Sequence, residues 1–323
     1  MMNILITSIS AKVQLVQAFK DAVRPYGGLI VGTDMDPKCC AAHFVDMFEA
    51  LPRDDNPAYK KRLLEICKTH KIRLIIPTRD AELEALVDIK ADLAALGTAL
   101  PLPDSEALHT CLDKRLFHSF CVAEGYPVLP VVDPQMENNF PLFVRAINTA
   151  NGKEAYEVPN MVAWNHLGLD RSHYICQPLC TDNEYSCDIL LDLDGMPLQA
   201  VVRHRQRLVN GESWRSEIVD MPRLEAMTLE ICQKLGLKGH NLAQAFVGAA
   251  GDIHLIEINP RFGGCSNLSI AGGLASPVRL VEMVRGETEE AARKRPITIG
   301  LQSNRYSMDI YTNTGNSAAG INT

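Results

Sequence analysis

The first hundred residues constrain the fold most, because short apolar runs alternate there with helical patterns. Residues 3–7 form a run of buried-strand type, followed by a helical segment with Leu15, Phe19 and Ala22 on one face. Residues 28–34 are the next strand, and 59–70 a helix carrying Leu63, Leu64, Ile66 and Cys67. Residues 72–77 give a third strand, and 80–96 a helix through Leu83, Leu86, Val87 and Leu93. Strands separated by helices imply right-handed crossovers and a parallel sheet covered on both faces.

The first strand–helix turn reads Thr7-Ser8-Ile9-Ser10 and not G-x-G-x-x-G. The layout is therefore Rossmann-like without the NAD-type fingerprint. A chain of 323 residues exceeds what one core supports, so two or three packed units are expected. Pro101-Leu102-Pro103 reads as a linker, and helices follow over 105–111 and 114–124, ending at Gly125-Tyr126-Pro127. Beyond residue 140 the pattern changes to strands and hairpins, at 141–147, 174–179, 185–192, 199–205 and 211–219. One clear helix interrupts them, with Leu224, Met227, Ile231 and Leu235 on a face and Gly236 as its C′ residue. Residues 241–247 and 253–258 read as a hairpin and 277–285 as a final helix; the tail from Asn313 to Thr323 is expected to fray.

Composition bounds the function. Apolar residues make up 46% and charged residues 22%, an ordinary globular balance. A net charge of −7 lacks the basic footprint of a nucleic-acid binder. No stretch approaches the roughly 20 apolar residues of a membrane span, and the start does not read as a signal peptide. The ten cysteines contain no C-x-x-C pair, and several sit in apolar periodic runs. Reduced, mostly buried thiols in a cytoplasmic protein are expected.

The segment from Asn241 to Arg261 carries the chemistry. With Ala250-Gly251 as a two-residue turn, the hairpin register sets Gln244 opposite Glu257. Alternation then puts Glu257 and Asn259 on the face of Gln244, with Arg261 just past the strand end and His254 on the opposite face. Three oxygen ligands converge, a set that suits Mg²⁺, which takes one or two carboxylates, water and substrate phosphates. The plain alternative is that Glu257 is an ordinary strand residue paired with a lysine. An acid inside the apolar run 253–258 is costly without a partner, which favours the metal reading.

Glu257-Ile258-Asn259-Pro260-Arg261-Phe262-Gly263-Gly264 resembles the metal-binding signature of the ATP-grasp superfamily, and the chain is most similar to its stand-alone carbamoyl-phosphate-synthase-like members. The resemblance covers roughly the first 290 residues. It implies mixed α/β and α+β architecture: a Rossmann-like pre-ATP-grasp domain over 1–104, a small lobe with its leading helices over 105–180, and a large lobe with the metal site and tail over 181–323. ATP would be gripped between the two lobes.

Carried over by position, the resemblance makes Lys114 and Arg145 phosphate ligands. Gln177 and Leu179 fall in the segment whose main chain meets adenine, and Glu184 in the place of the ribose-binding carboxylate. A lysine at a helix start is otherwise usually solvated, and Glu184 could equally be a surface acid. The glycine-rich lid is reduced to one glycine in Asn148-Thr149-Ala150-Asn151-Gly152-Lys153-Glu154, with Glu154 where it would repel a γ-phosphate. Alternation sends Arg203, Arg205 and Arg207 to one face, where they could hold phosphate or an acidic substrate; a solvated basic edge strand is the other reading.

The resemblance implies an ATP-dependent carboxylate–amine or carboxylate–ammonia ligase that forms an acyl phosphate. Gln244, Glu257 and Asn259 would hold one or two Mg²⁺, with Mn²⁺ as a substitute. Arg261, with Arg203 and Arg205, would stabilise the transferring phosphoryl group or the acyl intermediate. The implied partners are a small carboxylate and an amine, with no nucleic acid and no membrane. Many members dimerise, so a homodimer is an expectation. A nucleotide-binding pseudo-enzyme, supported by the glycine-poor lid, and a phosphotransferase of the same fold stand beside this reading.

Overall fold

A computed structural model describes residues 1–148 and 154–312. The middle of the glycine-poor stretch (149–153) and the tail (313–323) lie outside the described residues.

The N-terminal unit is a parallel sheet of order β3-β2-β1-β4, built from β1 (Asn3–Ile6), β2 (Ile30–Asp34), β3 (Met47–Ala50) and β4 (Ile72–Ile76). Helices α1 (Val13–Val23) and α2 (Tyr59–Thr69) make the crossovers. Sequence periodicity does not reveal β3: it is an edge strand with every residue partly or fully exposed, so it lacks a buried run. The helix expected over 80–96 is broken into a 3₁₀ turn (Asp80–Glu82), α3 (Leu83–Asp88) and α4 (Lys90–Ala95). The break serves the buried Glu82 carboxylate, which accepts from Thr7 Oγ1 at 2.9 Å, Ser8 Oγ at 2.7 Å and the Thr78 N–H at 3.0 Å. That group ties the ends of β1 and β4 together. The expected linker 101–103 is packed rather than free: Leu100 and Leu102 join the core beneath α2, and Lys90 Nζ donates to Leu102 O at 2.5 Å.

Helices α5 (Ser105–Leu112) and α6 (Lys114–Ala123) follow, each N-capped by an aspartate, Asp104 and Asp113. A three-stranded antiparallel sheet comprises β5 (Leu142–Ala146), β6 (Ala155–Val158) and β7 (Tyr174–Pro178), with α7 (Met161–Leu167) between β6 and β7. The large antiparallel sheet takes β8 (Asn183–Leu191), β9 (Pro197–Val209), β10 (Glu212–Val219), β11 (His240–Val247) and β12 (Ile253–Asn259), and is completed by β13 (Gln302–Asn304). Its order is β12-β11-β8-β9-β10-β13. Helix α8 (Pro222–Lys234) covers one face and ends as expected, with Gly236 at φ +64°. After β12 come α9 (Ser266–Ser269), a π-helical turn, α10 (Ser276–Arg285) and α11 (Thr288–Ala292).

The N-terminal unit and the large sheet share one apolar cluster, which joins Phe19, Val16 and Ile4 to Phe262, Leu268 and Leu280. Phe19 meets Phe262 edge-on with ring centroids 5.7 Å apart. This packing sets the end of β12 against the C-terminal edge of the parallel sheet. All ten cysteines are free, and burial pushes the thiols of Cys67, Cys111 and Cys121 up to about 12. Among the described residues no helix is long and apolar enough to cross a membrane.

Candidate active site

A cavity of about 480 Å³ is lined on one side by Phe143, Arg145 and Gln177 of the small sheet, and on the other by residues of the large one. Lys114, Arg145, Gln177, Leu179, Glu184, Arg203, Arg205, Gln244, Glu257, Asn259 and Arg261 all contribute to its lining. The structure thus brings these residues to one cavity, while their individual distances and partners differ.

The β11–β12 hairpin reaches the expected Gln244–Glu257 pair by an unexpected route. Its turn is the three-residue Ala249-Ala250-Gly251, closed by Gly248 N–H to Asp252 O at 2.9 Å, with Gly251 at φ +85°. Val247 pairs with Ile253 and Ala245 with Leu255, one residue out of the expected register. A bulge at Ile256 restores it, so that Gln244 faces Glu257. The bulge also overturns the expectation for His254. The core takes Ile253, Leu255 and Ile258, so His254 shares the cavity-side face with Glu257 and Asn259. His254 itself does not line the cavity.

Around Glu257 the contacts are sparse. Asn259 Nδ2 donates to Glu257 Oε1 at 3.1 Å, and Lys114 Nζ lies 4.0 Å from Oε2. Gln244, paired with Glu257 across the hairpin, donates from Nε2 to Glu184 Oε1 at 2.9 Å. Glu184 is also paired with Arg205. Burial raises the Glu184 carboxyl, as does the charge of Glu257, while Arg205 opposes them. Burial lowers Lys114, with Glu257 pulling the other way. Arg145 Nη2 donates to Gln177 Oε1 at 2.8 Å, but its Nε is buried with no partner. The Leu179 N–H, expected to be available to a base, already donates to Pro141 O at 3.0 Å.

The arginines of β9 divide. Arg203 is 1% exposed and donates through Nε to Asp188 Oδ2 at 2.6 Å, while its Nη1 has no partner. Asp188 also accepts from Ser269 Oγ at 2.5 Å and lies 3.2 Å from His240 Nε2. Burial alone would raise the Asp188 carboxyl; Arg203 and His240 hold it well below the usual range. Arg205 is committed, donating to Ser213 Oγ at 2.9 Å and Gly211 O at 2.6 Å besides Glu184. The expectation that Arg207 joins them fails. The β9–β10 register shifts between Arg207 and Arg205, Arg207 is exposed, and Leu208 lines the cavity instead.

Arg261 is clamped to the N-terminal unit: its Nε donates to Asp80 Oδ1 at 2.5 Å and its Nη2 pairs with Oδ2. Asp80, Asp188 and Glu212 were missed by sequence reasoning. Asp188 alone carried a signal, an acid inside the apolar strand run 185–192 that needs a partner. Glu154, the expected repulsive group, is exposed at φ +53° and does not line the cavity. Lys114, Glu257, Asn259 and Arg261 also line a second cleft of about 1040 Å³, which opens onto the C-terminal ends of β1, β2 and β4.

Residues 4–100 match the family of PylC-like N-terminal domains, and residues 170–307 the family described as ATP-grasp in the biosynthetic pathway with Ter operon. No curated protein matches the chain. Among solved structures, the biotin carboxylase–βγ-ATP complex of Campylobacter jejuni superposes with a TM-score of 0.70 at 14% identity, over 93% of this chain and 73% of that one. The ADP complex of N5-carboxyaminoimidazole synthetase from Staphylococcus aureus gives 0.69 at 14% identity, over 93% and 80%. The carboxylase domain of Hydrogenobacter thermophilus 2-oxoglutarate carboxylase, in complex with MgADP and bicarbonate, gives 0.68 at 12% identity, over 90% and 72%. Residues 4–100 are thus a PylC-like N-terminal domain and residues 170–307 match an ATP-grasp family, and the chain shares the fold of these solved structures.

Proposed function

We propose that the protein is an ATP-dependent ligase that activates a carboxylate as an acyl phosphate and passes it to an amine or ammonia. The observation that carries this reading is the convergence of two buried, partnerless guanidinium N–H groups, Arg145 Nε and Arg203 Nη1, with an oxygen-donor set in one cavity. Buried cationic donors without acceptors call for an anion, and a nucleotide triphosphate supplies several.

The donor set fits Mg²⁺. Among the described residues no three His, Cys, Asp or Glu side chains gather as a metal cage. The cavity offers one carboxylate, Glu257, beside the amide oxygens of Gln244 and Asn259, and hard Mg²⁺ completes such a set with phosphates and water. Bound there, Mg²⁺ would neutralise phosphate charge during transfer, and Mn²⁺ would serve in its place. Lys114 and Arg145 then hold phosphate oxygens, and Glu184 the sugar. Arg203, braced by Asp188, presents Nη1 to the developing charge, and Arg205 fixes Glu184. Arg261, held by Asp80, sits where the two clefts meet and orients the carboxylate for in-line attack. Small-molecule substrates, a cytoplasmic setting and a homodimer belong to the same proposal.

A nucleotide-release screen tests it. A ligase releases ADP and phosphate only when a carboxylate and an amine are both present. ADP without free phosphate would indicate a phosphotransferase, and neither product a binding protein. Lys114→Ala and Arg145→Ala should each weaken ATP binding about 10- to 100-fold, the worth of a charged hydrogen bond. Calorimetric titration reads both.

A further inference from the structure

The second cleft holds a charge that the ligase reading leaves unused. It lies beyond the C-terminal ends of β1, β2 and β4, lined by Ser8, Asp34 and Thr78 among others. Open parallel sheets bind ligands at such an edge where strand order reverses, here around β1 between β2 and β4. Four of the cations lining the cleft have partners: Arg53 lies 3.6 Å from Asp55, Arg79 pairs with Asp54, Arg261 pairs with Asp80, and Lys114 lies 4.0 Å from Glu257.

Lys12 differs from these four. It is half-buried in the same lining, and its ammonium makes no hydrogen bond or ion pair among the described residues. Burial, and then the charge of Arg261, lower its pKa, while the charges of Glu82, Glu212 and Asp34, none within ion-pair distance, oppose them. An ammonium partly withdrawn from water beside another cation is unfavourable until an anion joins them. Lys12 and the Glu257–Arg261 corner line one cleft, so a single small molecule can meet both.

We propose that the carboxylate substrate is dianionic, with its reacting carboxylate at the Glu257–Arg261 corner and a second anionic group, carboxylate or phosphate, on Lys12. The orientation rests on the ligase reading; the anion site at Lys12 does not. Lys12 makes and breaks no bond and acts in substrate selection.

Calorimetry tests this on the full chain saturated with Mg²⁺ and β,γ-imido-ATP, titrated with glutarate, 3-phosphonopropionate and the monoacid butyrate. Glutarate or the phosphonate should bind at least about tenfold tighter than butyrate. The preferred probe tells carboxylate from phosphate. Lys12→Met, with Lys12→Gln as a polar second variant, should abolish the preference; Lys12→Arg should keep it, and all three should bind the nucleotide like the parent. Equal binding of butyrate, a preference that survives Lys12→Met, or no binding of any probe overturns the proposal. If the parent fails to bind the nucleotide, the ligase reading falls by itself, and the titration is run without it. A dianion preference lost in Lys12→Met then still supports the Lys12 site, and one unaffected by the variant overturns it.

Discussion

Arg203 and Asp188 form a fully buried pair whose energetics are asymmetric. With both present, the low-dielectric interior and the bonds from Ser269 and His240 offset desolvation. Asp188→Ala strands a buried guanidinium and should cost about 3–5 kcal/mol, read as a loss of Tm. The same pair sets an acid limit. The Asp188 carboxyl is held below its unfolded value, so its contribution is fully present above the ordinary aspartate range. Below about pH 4 the unfolded chain binds the extra proton, and that contribution is lost as pH falls toward the folded value. Asp188→Asn should flatten this part of the pH–stability curve. Asp188 was invisible as a partner in the sequence because Arg203 lies across a strand pair, and a linear pattern does not say which cross-strand residue a buried acid will meet.

The β11–β12 hairpin shows what a pattern of alternation can and cannot carry. Gln244 opposite Glu257 was legible because strand period and hairpin closure fix pairing to within a residue. The turn and the bulge were not, since a three-residue turn and one extra residue cancel over the length of the hairpin. Only their separate effect, His254 turned to the cavity side, betrays them. His254→Ala should therefore leave Mg-ATP affinity unchanged because His254 stays out of the lining, not because it faces away. Edge strand β3 and the broken helix after β4 escaped for other reasons: one has no buried run, the other yields to the needs of a buried carboxylate. Beyond β12, Gly273 has φ +117°, and a Cβ there would lie 2.2 Å from Pro296 O. Gly273→Ala should destabilise the segment behind the Arg261 loop by at least about 1–3 kcal/mol, measured by denaturant unfolding.

In the whole molecule, two clefts meet at the end of β12, and the N-terminal unit reaches that point through Asp80. Residue types and order made the parallel sheet and the gathering of Lys114, Arg145 and Glu257 in one cavity legible; contacts between units, such as Asp80 with Arg261, left no trace in local patterns. Asp80→Asn should lower substrate-dependent turnover while sparing Mg-ATP binding, because it loosens Arg261 and leaves Lys114, Arg145 and Glu257 in place. The central claim is that Glu257 holds the metal that brings the nucleotide into the cavity. Titration of the parent and of Glu257→Gln with ATP, each with and without Mg²⁺, tests it most directly. The parent should bind ATP more tightly with Mg²⁺, and Glu257→Gln should lose that gain while melting like the parent in the absence of nucleotide. A Glu257→Gln variant that keeps the full Mg²⁺-dependent gain would contradict the account.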